Sequence, residues 1–180
     1  MSASEPRLAG ATRLHADGGV ESVQEVLLPP GPAPDLRALE RGYYRWVPII
    51  SAGTAVPRWS SEGPDGPLAI RCWPLGWPVA IAMGPPEVVP ERRRARPVLG
   101  GLLAHPGGEM ALELEPAPGG TVLRAALRGF RPRMPWWLYR RTQVGLHERS
   151  TYAFLREVAR ARGARPWKRN AHGAAGPPPG

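Results

Sequence analysis

Residues 109–127, EMALELEPAPGGTVLRAAL, contain two runs in which apolar and polar residues alternate, separated by a turn. Successive side chains of a β-strand point to opposite faces of its sheet, so each run places its apolar residues on one face. The intervening PAPGG, residues 116–120, has the proline and glycine content of a tight turn. The stretch therefore predicts an antiparallel hairpin with one buried and one solvated face. The residues on the buried face are Met110, Leu112 and Leu114 in the first strand and Leu123, Ala125 and Leu127 in the second.

Charged residues occupy the other face of the same hairpin. The first strand carries glutamates there, among them Glu113 and Glu115, and the second carries Arg124 and Arg128. Opposite charges on neighbouring strands predict ion pairs across the sheet. Because this face is the solvated one, we do not expect Glu113 and Glu115 to act as a catalytic acid–base pair.

The pattern extends in both directions from the hairpin. The apolar run RPVLGGLL, residues 96–103, ends at the turn His105–Gly108 and predicts a preceding strand of the same meander. After the hairpin, apolar side chains recur at spacings of three and four from Trp136 to Arg162, which is typical of a long helix packed on one face. Gly163 is well placed to end that helix.

The N-terminal half predicts a strand, a helix and further short strands. Val20–Leu28 has strand-like alternation, and after the proline-rich turn Asp35 can cap a helix from Leu36 to about Trp46. Residues 53–89 are rich in tryptophan, proline and glycine and predict short strands separated by turns. The domain boundaries follow: a flexible arm over residues 1–18, one α+β domain over residues 19–162, and a disordered basic tail over residues 163–180.

Composition restricts the class of protein. The longest apolar runs fall short of the roughly 20 residues that span a bilayer, and residues 1–19 have no apolar core of a secretory signal. Cys72 is the single cysteine, so no internal disulfide forms, which favours a cytoplasmic protein. The spacing of the 4 histidines matches no metal motif, and no phosphate-loop, dinucleotide-binding or serine-hydrolase motif is present. We expect no cofactor and no metal.

Positive charge is concentrated in the C-terminal half. Residues 91–180 carry 17 basic and 6 acidic side chains, and Lys168 is the one lysine of the chain. The densest run, Glu91–Arg96, could contact nucleic acid or anionic lipid, but a solvated edge before a strand is the favoured interpretation. The nearly exclusive use of arginine weakens the inference of phosphate contacts, so nucleic acid ranks below other partners.

Two segments of the chain resemble a known superfamily. The run from Arg96 through the long C-terminal helix resembles the last part of small bacterial members of the START-like (SRPBCC) superfamily, often labelled polyketide cyclase/dehydrase-like. The segment LLPPGPAPDLRALERGYYRWVPII, with Trp46 and Pro48, resembles the opening of the same superfamily. Together they cover about half of the chain, while residues 53–89 match no part of the family pattern. The resemblance implies a helix-grip fold, in which a curved antiparallel sheet wraps around a long C-terminal helix.

In such a fold a cavity lies between the sheet and the helix, which predicts binding of a hydrophobic or aromatic small molecule. A cyclase/dehydratase-like enzyme using the same cavity is the alternative, and an arginine-rich nucleic-acid-associated protein is the second. His147 is the best candidate acid or base, with Thr151 as its companion, and Trp136 and Tyr139 are expected near the mouth. The predicted cavity residues are Leu112, Leu114, Leu123, Ala125, Leu127, Trp137, Val144, His147, Thr151 and Phe154. The oligomeric state and the ligand do not follow from the sequence.

Overall fold

The computed structural model describes residues 8–72, 78–139, 141 and 144–163. Within them the chain forms an antiparallel sheet and three α-helices, an α+β fold consistent with the predicted helix-grip class. The strands are β1 (Leu8–Leu14), β2 (Val20–Leu28), β3 (Ala55–Trp59), β4 (Leu68–Cys72), β5 (Val79–Met83), β6 (Glu87–Val89), β7 (Arg93–Gly100), β8 (Glu109–Ala117) and β9 (Gly120–Phe130). The helices are α1 (Leu36–Ile50), α2 (Trp136–Tyr139) and α3 (Gly145–Ala161), and a short 3-10 turn covers Gly63–Asp65.

The predicted meander is confirmed as β7–β8–β9. The tight turn between β8 and β9 has Gly119 at φ 89°, and a Cβ on Gly120 would lie 1.9 Å from the Leu28 carbonyl oxygen. Glycine is therefore required at this turn for both its backbone conformation and its size. The ion pairs predicted on the outer face are also present, with Arg128 donating to Glu113 at 2.7 Å. The Arg128 hydrogen bond lowers the pKa of the Glu113 carboxyl, so this group stays ionised and paired.

Strand β7 joins the two halves of the sheet. The order of the strands is β1-β2-β9-β8-β7-β5-β4-β3, and β6 pairs with β7 outside this path. The first part of β7, from Arg93 to Pro97, pairs with β8, whereas Val98 and Gly100 pair with β5. The proline-rich middle of the chain therefore extends the sheet through β5, β4 and β3.

The structure corrects the prediction of a flexible arm over residues 1–18 for the part that it describes, residues 8–18. Leu8–Leu14 forms β1 and pairs with β2 along its whole length. The segment LAGATRL lacks the alternation of apolar and polar residues that would have predicted a strand. A Cβ on Gly10 would lie 2.5 Å from the Tyr152 hydroxyl oxygen of α3. The missing side chain thus allows close approach of β1 to the helix. The predicted tail beyond Gly163 lies outside the described residues.

The first predicted helix is longer than expected, and the second contains a π-helical part. Asp35 caps α1 as predicted, since its carboxylate accepts from the Arg37 amide at 2.9 Å, but the helix continues past Trp46 to Ile50 with Pro48 inside it. Of the single helix predicted from Trp136 to Arg162, the structure describes α2 and α3 as α-helical, and Arg141 and Val144 between them as π-helical. Gly163 ends α3 with φ 84°, as predicted.

Helices α1 and α3 pack against each other and against the sheet. Tyr43 and Phe154 make an edge-to-face contact with ring centroids 5.3 Å apart, and Leu155 and Ala159 of α3 are completely buried. Aromatic contacts of this kind add to the burial of apolar area. None of the described helices is both long and apolar enough to cross a bilayer.

The prediction of a solvated basic run at residues 92–96 is wrong. The Arg94 side chain is 5% exposed and that of Arg96 is fully buried, while Arg92 remains exposed. Their partner is the buried Glu40 of α1, whose carboxylate accepts from Arg94 Nε at 2.6 Å and from Arg96 Nε at 2.5 Å. Strand alternation places these two arginines on the inner side of the sheet. Their burial is tolerated because a buried carboxylate and several backbone carbonyls compensate the desolvation of the guanidinium groups.

We predict that Glu40→Leu lowers the free energy of unfolding by about 3–5 kcal/mol, because it leaves two buried guanidinium groups without their shared carboxylate. The measurement is urea unfolding followed by tryptophan fluorescence. Glu25→Leu is the matched control: Glu25 pairs with Arg124 at 3.1 Å on the partly exposed face, and its removal should cost about 1 kcal/mol or less.

The triple variant Glu40→Leu/Arg94→Met/Arg96→Met should recover much of the lost stability, because no buried charge is then left unpaired. Equal costs for Glu40→Leu and Glu25→Leu would show that the buried ion pairs do not hold α1 on the sheet.

Candidate functional site

A cavity of about 210 Å³ lies between the C-terminal half of α1, the start of α3 and the strands β4, β5 and β7. Tyr43, Tyr44, Val47 and Ile50 reach it from one face of α1 because they recur at helical spacing. The extension of α1 to Ile50 therefore forms part of the wall. The described residues that line the cavity are Tyr43, Tyr44, Val47, Ile50, Ser51, Thr54, Ala55, Ile70, Cys72, Ala80, Ile81, Met83, Val98, Leu103, Met110, Leu127, Phe130, Tyr139, His147 and Ser150.

The wall of the cavity is apolar and aromatic, and none of its described residues is an aspartate, glutamate, lysine or arginine. The strands of the proline-rich middle supply much of it: Ile70 and Cys72 alternate along β4, and Ala80, Ile81 and Met83 come from β5. An uncharged wall disfavours a charged ligand, because a desolvated charge would find no counter-ion there.

The hydroxyl of Tyr44 is the first polar group of the cavity. It donates to two thioether sulfurs, Met83 Sδ at 3.4 Å and Met110 Sδ at 3.6 Å. Thioethers are weak acceptors, so the donor is only partly satisfied by the protein. Burial, with the charge of Glu40 as a second cause, raises the pKa of Tyr44 well above its usual value. Tyr44 therefore remains a neutral hydrogen-bond donor.

Two further tyrosines line the same space. The Tyr43 hydroxyl lies 3.4 Å from Thr151 Oγ1, and burial raises the pKa of Tyr43. Burial also raises the pKa of Tyr139 to about 12. Both phenols are therefore protonated over the whole physiological range.

His147 is the second polar group that faces the cavity. Its backbone carbonyl accepts from Ser150 Oγ at 2.7 Å, which fixes the first turn of α3 around it. The half-buried imidazole has no hydrogen bond to any described residue. Burial lowers the pKa of His147 to about 4, and the nearby charge of Glu148 opposes that shift only in part. At neutral pH the ring thus offers one acceptor and one donor nitrogen to a ligand.

Together these groups can orient a carbonyl or a phenol. The Tyr44 hydroxyl can donate to an acceptor oxygen, and the neutral imidazole of His147 can accept or donate one proton. Cys72 also lines the cavity, but burial raises the pKa of its thiol, which disfavours the reactive thiolate. Within the described part of the chain no cluster of three His, Cys, Asp or Glu side chains could hold a metal ion.

The structure brings only some of the predicted cavity residues to this site. Leu127 and His147 line it, as does Tyr139, which was expected near the mouth. Trp137 is 67% exposed and lies outside the lining set, and the side chain of Trp136 is not among those described. The remaining predicted residues pack in the core without lining the cavity: Leu112, Leu114, Leu123, Ala125, Val144, Thr151 and Phe154.

The displacement of the cavity has a physical cause. Phe154 and Tyr43 meet edge to face within the core cluster that contains the inner side chains of β8 and β9, so α1 and α3 fill the space that the prediction left open. The open space lies instead towards β4 and β5. These lining residues were not predicted to face the cavity, although the apolar segments LAIRC and VAIAM, residues 68–72 and 79–83, carry a usable strand signal.

Comparison with known proteins found similarity only among solved structures. No protein-family model and no curated protein matches the chain. The solution structure of CalU16 from Micromonospora echinospora is 14% identical and aligns over 99% of this chain and 88% of that one, with a TM-score of 0.46. Its crystal structure is 13% identical over 89% of this chain and 94% of that one, with a TM-score of 0.40.

A third similar structure is the Polyketide_cyc-like protein Cgl2372 from Corynebacterium glutamicum. It is 13% identical and aligns over 79% of this chain and 84% of that one, with a TM-score of 0.37. Identities and TM-scores of this size describe a likeness in fold and carry no argument about ligand or activity.

We predict that lowering the pH from 6.5 to 4 destabilises the protein through His147. Its pKa is about 4 in the folded state and 6.5 in the unfolded chain, so the unfolded state binds the extra proton within this window. The contribution of the neutral His147 to the free energy of unfolding is therefore complete above pH 6.5. It falls by up to about 3 kcal/mol as the pH approaches 4. Urea midpoints at pH 7.5 and 4.5 measure the loss.

His147→Phe should show a smaller loss of stability over the same pH range, because the titrating group is gone. The control is His105→Phe in an exposed turn, which should keep the wild-type pH dependence. If His147→Phe and the wild type lose the same stability, then burial of the imidazole does not cause the pH dependence in this window.

Proposed function

We propose that the protein binds an uncharged hydrophobic or aromatic small molecule in the cavity beside α1. The observation that carries this proposal is the cavity wall itself, which is apolar and aromatic, contains no charged described residue, and presents two incompletely satisfied polar groups, Tyr44 and His147. Small-molecule sites typically combine a mostly apolar wall with a few polar groups that set orientation.

The size of the cavity limits the ligand. A dry apolar cavity of about 150 Å³ in a protein core holds benzene. At about 210 Å³ this cavity accommodates a ring system of one or two fused rings, or a larger molecule that extends through its open side. The proposed ligand is therefore a small aromatic molecule with one hydrogen-bonding oxygen.

We also propose that the α+β fold has the helix-grip arrangement, in which the sheet curves around α3. The packing of α3 on β2 and against α1 supports it, as does the burial of Thr151, Phe154 and Leu155 along one stripe of that helix. The ligand would then lie at one end of this arrangement, where α1 and the start of α3 diverge over β4 and β5.

A cyclase/dehydratase-like reaction in the same cavity is the second candidate. Two polar groups converge on one apolar space: the Tyr44 hydroxyl, which can polarise a carbonyl, and the neutral His147, which can take a proton from the adjacent carbon. A hydroxyl group on the next carbon would then receive that proton from His147 and leave as water. Conversion of a bound β-hydroxy ketone, abolished by His147→Phe, would support the enzyme over the simple binder.

We predict that Ala55→Trp weakens binding of 2-acetylnaphthalene, a neutral bicyclic ketone, by about tenfold or more, because the indole would occupy the cavity. Ala55 lines the cavity from β3 and is partly exposed. Isothermal titration calorimetry measures the affinity. Ala69→Trp is the matched control, since Ala69 is partly exposed on the neighbouring β4 and does not line the cavity.

Naphthalene serves as the control ligand for orientation. Tyr44→Phe should weaken binding of the ketone by roughly threefold to tenfold, which corresponds to the loss of one hydrogen bond. The affinity for naphthalene should stay unchanged. Two results would exclude the cavity as the site for this class of molecule. One is equal weakening of ketone binding by Ala55→Trp and Ala69→Trp, and the other is that neither ligand binds.

A further inference from the structure

The solvent-facing side of α1 carries a row of arginines. Arg37, Arg41 and Arg45 are exposed and follow one another at intervals of four residues. With a rise of 1.5 Å per residue, their Cα atoms are spaced about 6 Å apart along the helix. All three line a surface groove of about 410 Å³, which is distinct from the cavity on the other side of α1.

The opposite wall of this groove is formed by Trp59 and Pro64. Both residues are held in place by the buried arginines beneath them. The Pro64 carbonyl accepts hydrogen bonds from Arg94 and Arg96, and the Arg96 guanidinium lies 4.9 Å from the centroid of the Trp59 ring. The Trp59 ring is further fixed by an edge-to-face contact with Tyr44 at 5.5 Å. The groove is therefore preorganised before any ligand binds.

The charges around the groove are unbalanced. Arg37 pairs with Asp65, which also accepts from Arg94. No ion pair or hydrogen bond from a described residue reaches the Arg41 or Arg45 side chain. The groove and the ion pairs beneath it contain five arginines, Arg37, Arg41, Arg45, Arg94 and Arg96, and two carboxylates, Glu40 and Asp65. This leaves an excess of positive charge in the groove, whereas the described wall of the cavity is uncharged.

We propose that this groove binds the phosphates and the base of a nucleotide. Guanidinium groups match phosphate oxygens in geometry and charge, and a row of three of them suits several linked phosphates better than a single anion. Trp59 supplies an aromatic surface next to that row, as at sites where bases stack beside a positively charged groove. An acidic peptide would use the arginines but would leave the fixed Trp59–Pro64 wall without a role.

The same chemistry is available from a free nucleotide or from single-stranded nucleic acid. The site is short, because three arginines span only about 12 Å of helix. It is also separate from the proposed cavity, since no residue lines both sites. Loss of nucleotide binding would therefore leave the cavity proposal intact, and the reverse also holds.

The test is a titration of the full chain with ADP and with a fluorescently labelled hexathymidylate, each up to about 1 mM, at 50 and 200 mM salt. Arg41→Gln/Arg45→Gln should weaken both ligands by about tenfold or more, because it removes the two arginines without a described partner. The control Arg149→Gln/Arg156→Gln removes the same charge from exposed positions of α3 and should change binding less than about twofold.

The salt dependence gives an independent measure. Three phosphate contacts predict that the logarithm of the hexathymidylate affinity falls with a slope of about −2 against the logarithm of salt, and that the double variant reduces the slope to about −0.7. An affinity for hexathymidylate at least about tenfold above that for ADP identifies single-stranded nucleic acid as the source of the chemistry, and comparable affinities identify the free nucleotide.

Three results would overturn the proposal. One is the absence of binding by either ligand at about 1 mM and 50 mM salt. Another is an equal loss of binding in the α1 and α3 double variants, which would attribute binding to net charge alone. The third is binding of a hexaglutamate peptide as tight as that of hexathymidylate together with an unchanged affinity in Trp59→Phe.

Discussion

The structure depends on one buried carboxylate, Glu40, which two buried arginines of the same strand share. Glu40 is 5% exposed, and its oxygens accept from Arg94 at 2.6 Å and Arg96 at 2.5 Å. A buried ion pair is no guarantee of net stability, because desolvation offsets most of the attraction, but it fixes which groups must meet. Here it fixes the rotation of α1 about its axis and its position on β7. Arg96 also donates to the carbonyls of Gly66 and Gly84 at 2.7 and 2.8 Å, so the same contact anchors two loops of the proline-rich segment.

This orientation of α1 determines both proposed sites. With Glu40 directed at β7, the side chains of Tyr43 and Tyr44 turn towards the cavity, whereas Arg41 and Arg45 remain in solvent. Tyr44 of the cavity and Trp59 of the groove are in edge-to-face contact, but the two sites share no lining residue. The helix thus separates an uncharged interior space from a positively charged groove, and one set of buried contacts positions both.

The sequence predicted the elements whose cause is local. The β8–β9 hairpin followed from alternation around a glycine turn, and the cap at Asp35 followed from the residue type at the start of the helix. The burial of Arg94 and Arg96 did not follow from the sequence, because a run of arginines is usually exposed. The carboxylate that makes their burial possible lies 54 and 56 positions away in the chain. The position of the cavity also depended on packing between distant elements. His147 was predicted to face the cavity from its place on the apolar stripe of the helix. Tyr44 was not predicted, because the packing of α1 and α3 against each other has no pattern in the local sequence.

The most direct test of the central claim, that a small aromatic molecule occupies the cavity beside α1, is a titration of methyl-labelled methionine in NMR spectra. Met83 and Met110 both line the cavity and accept from Tyr44, whereas Met134 packs against the core outside it. Ring currents from a bound aromatic ketone should shift the methyl resonances of Met83 and Met110 saturably and with one dissociation constant, and leave Met134 in place. Saturable binding that shifts Met134 alone, or that leaves both cavity methionines unchanged, would contradict the account.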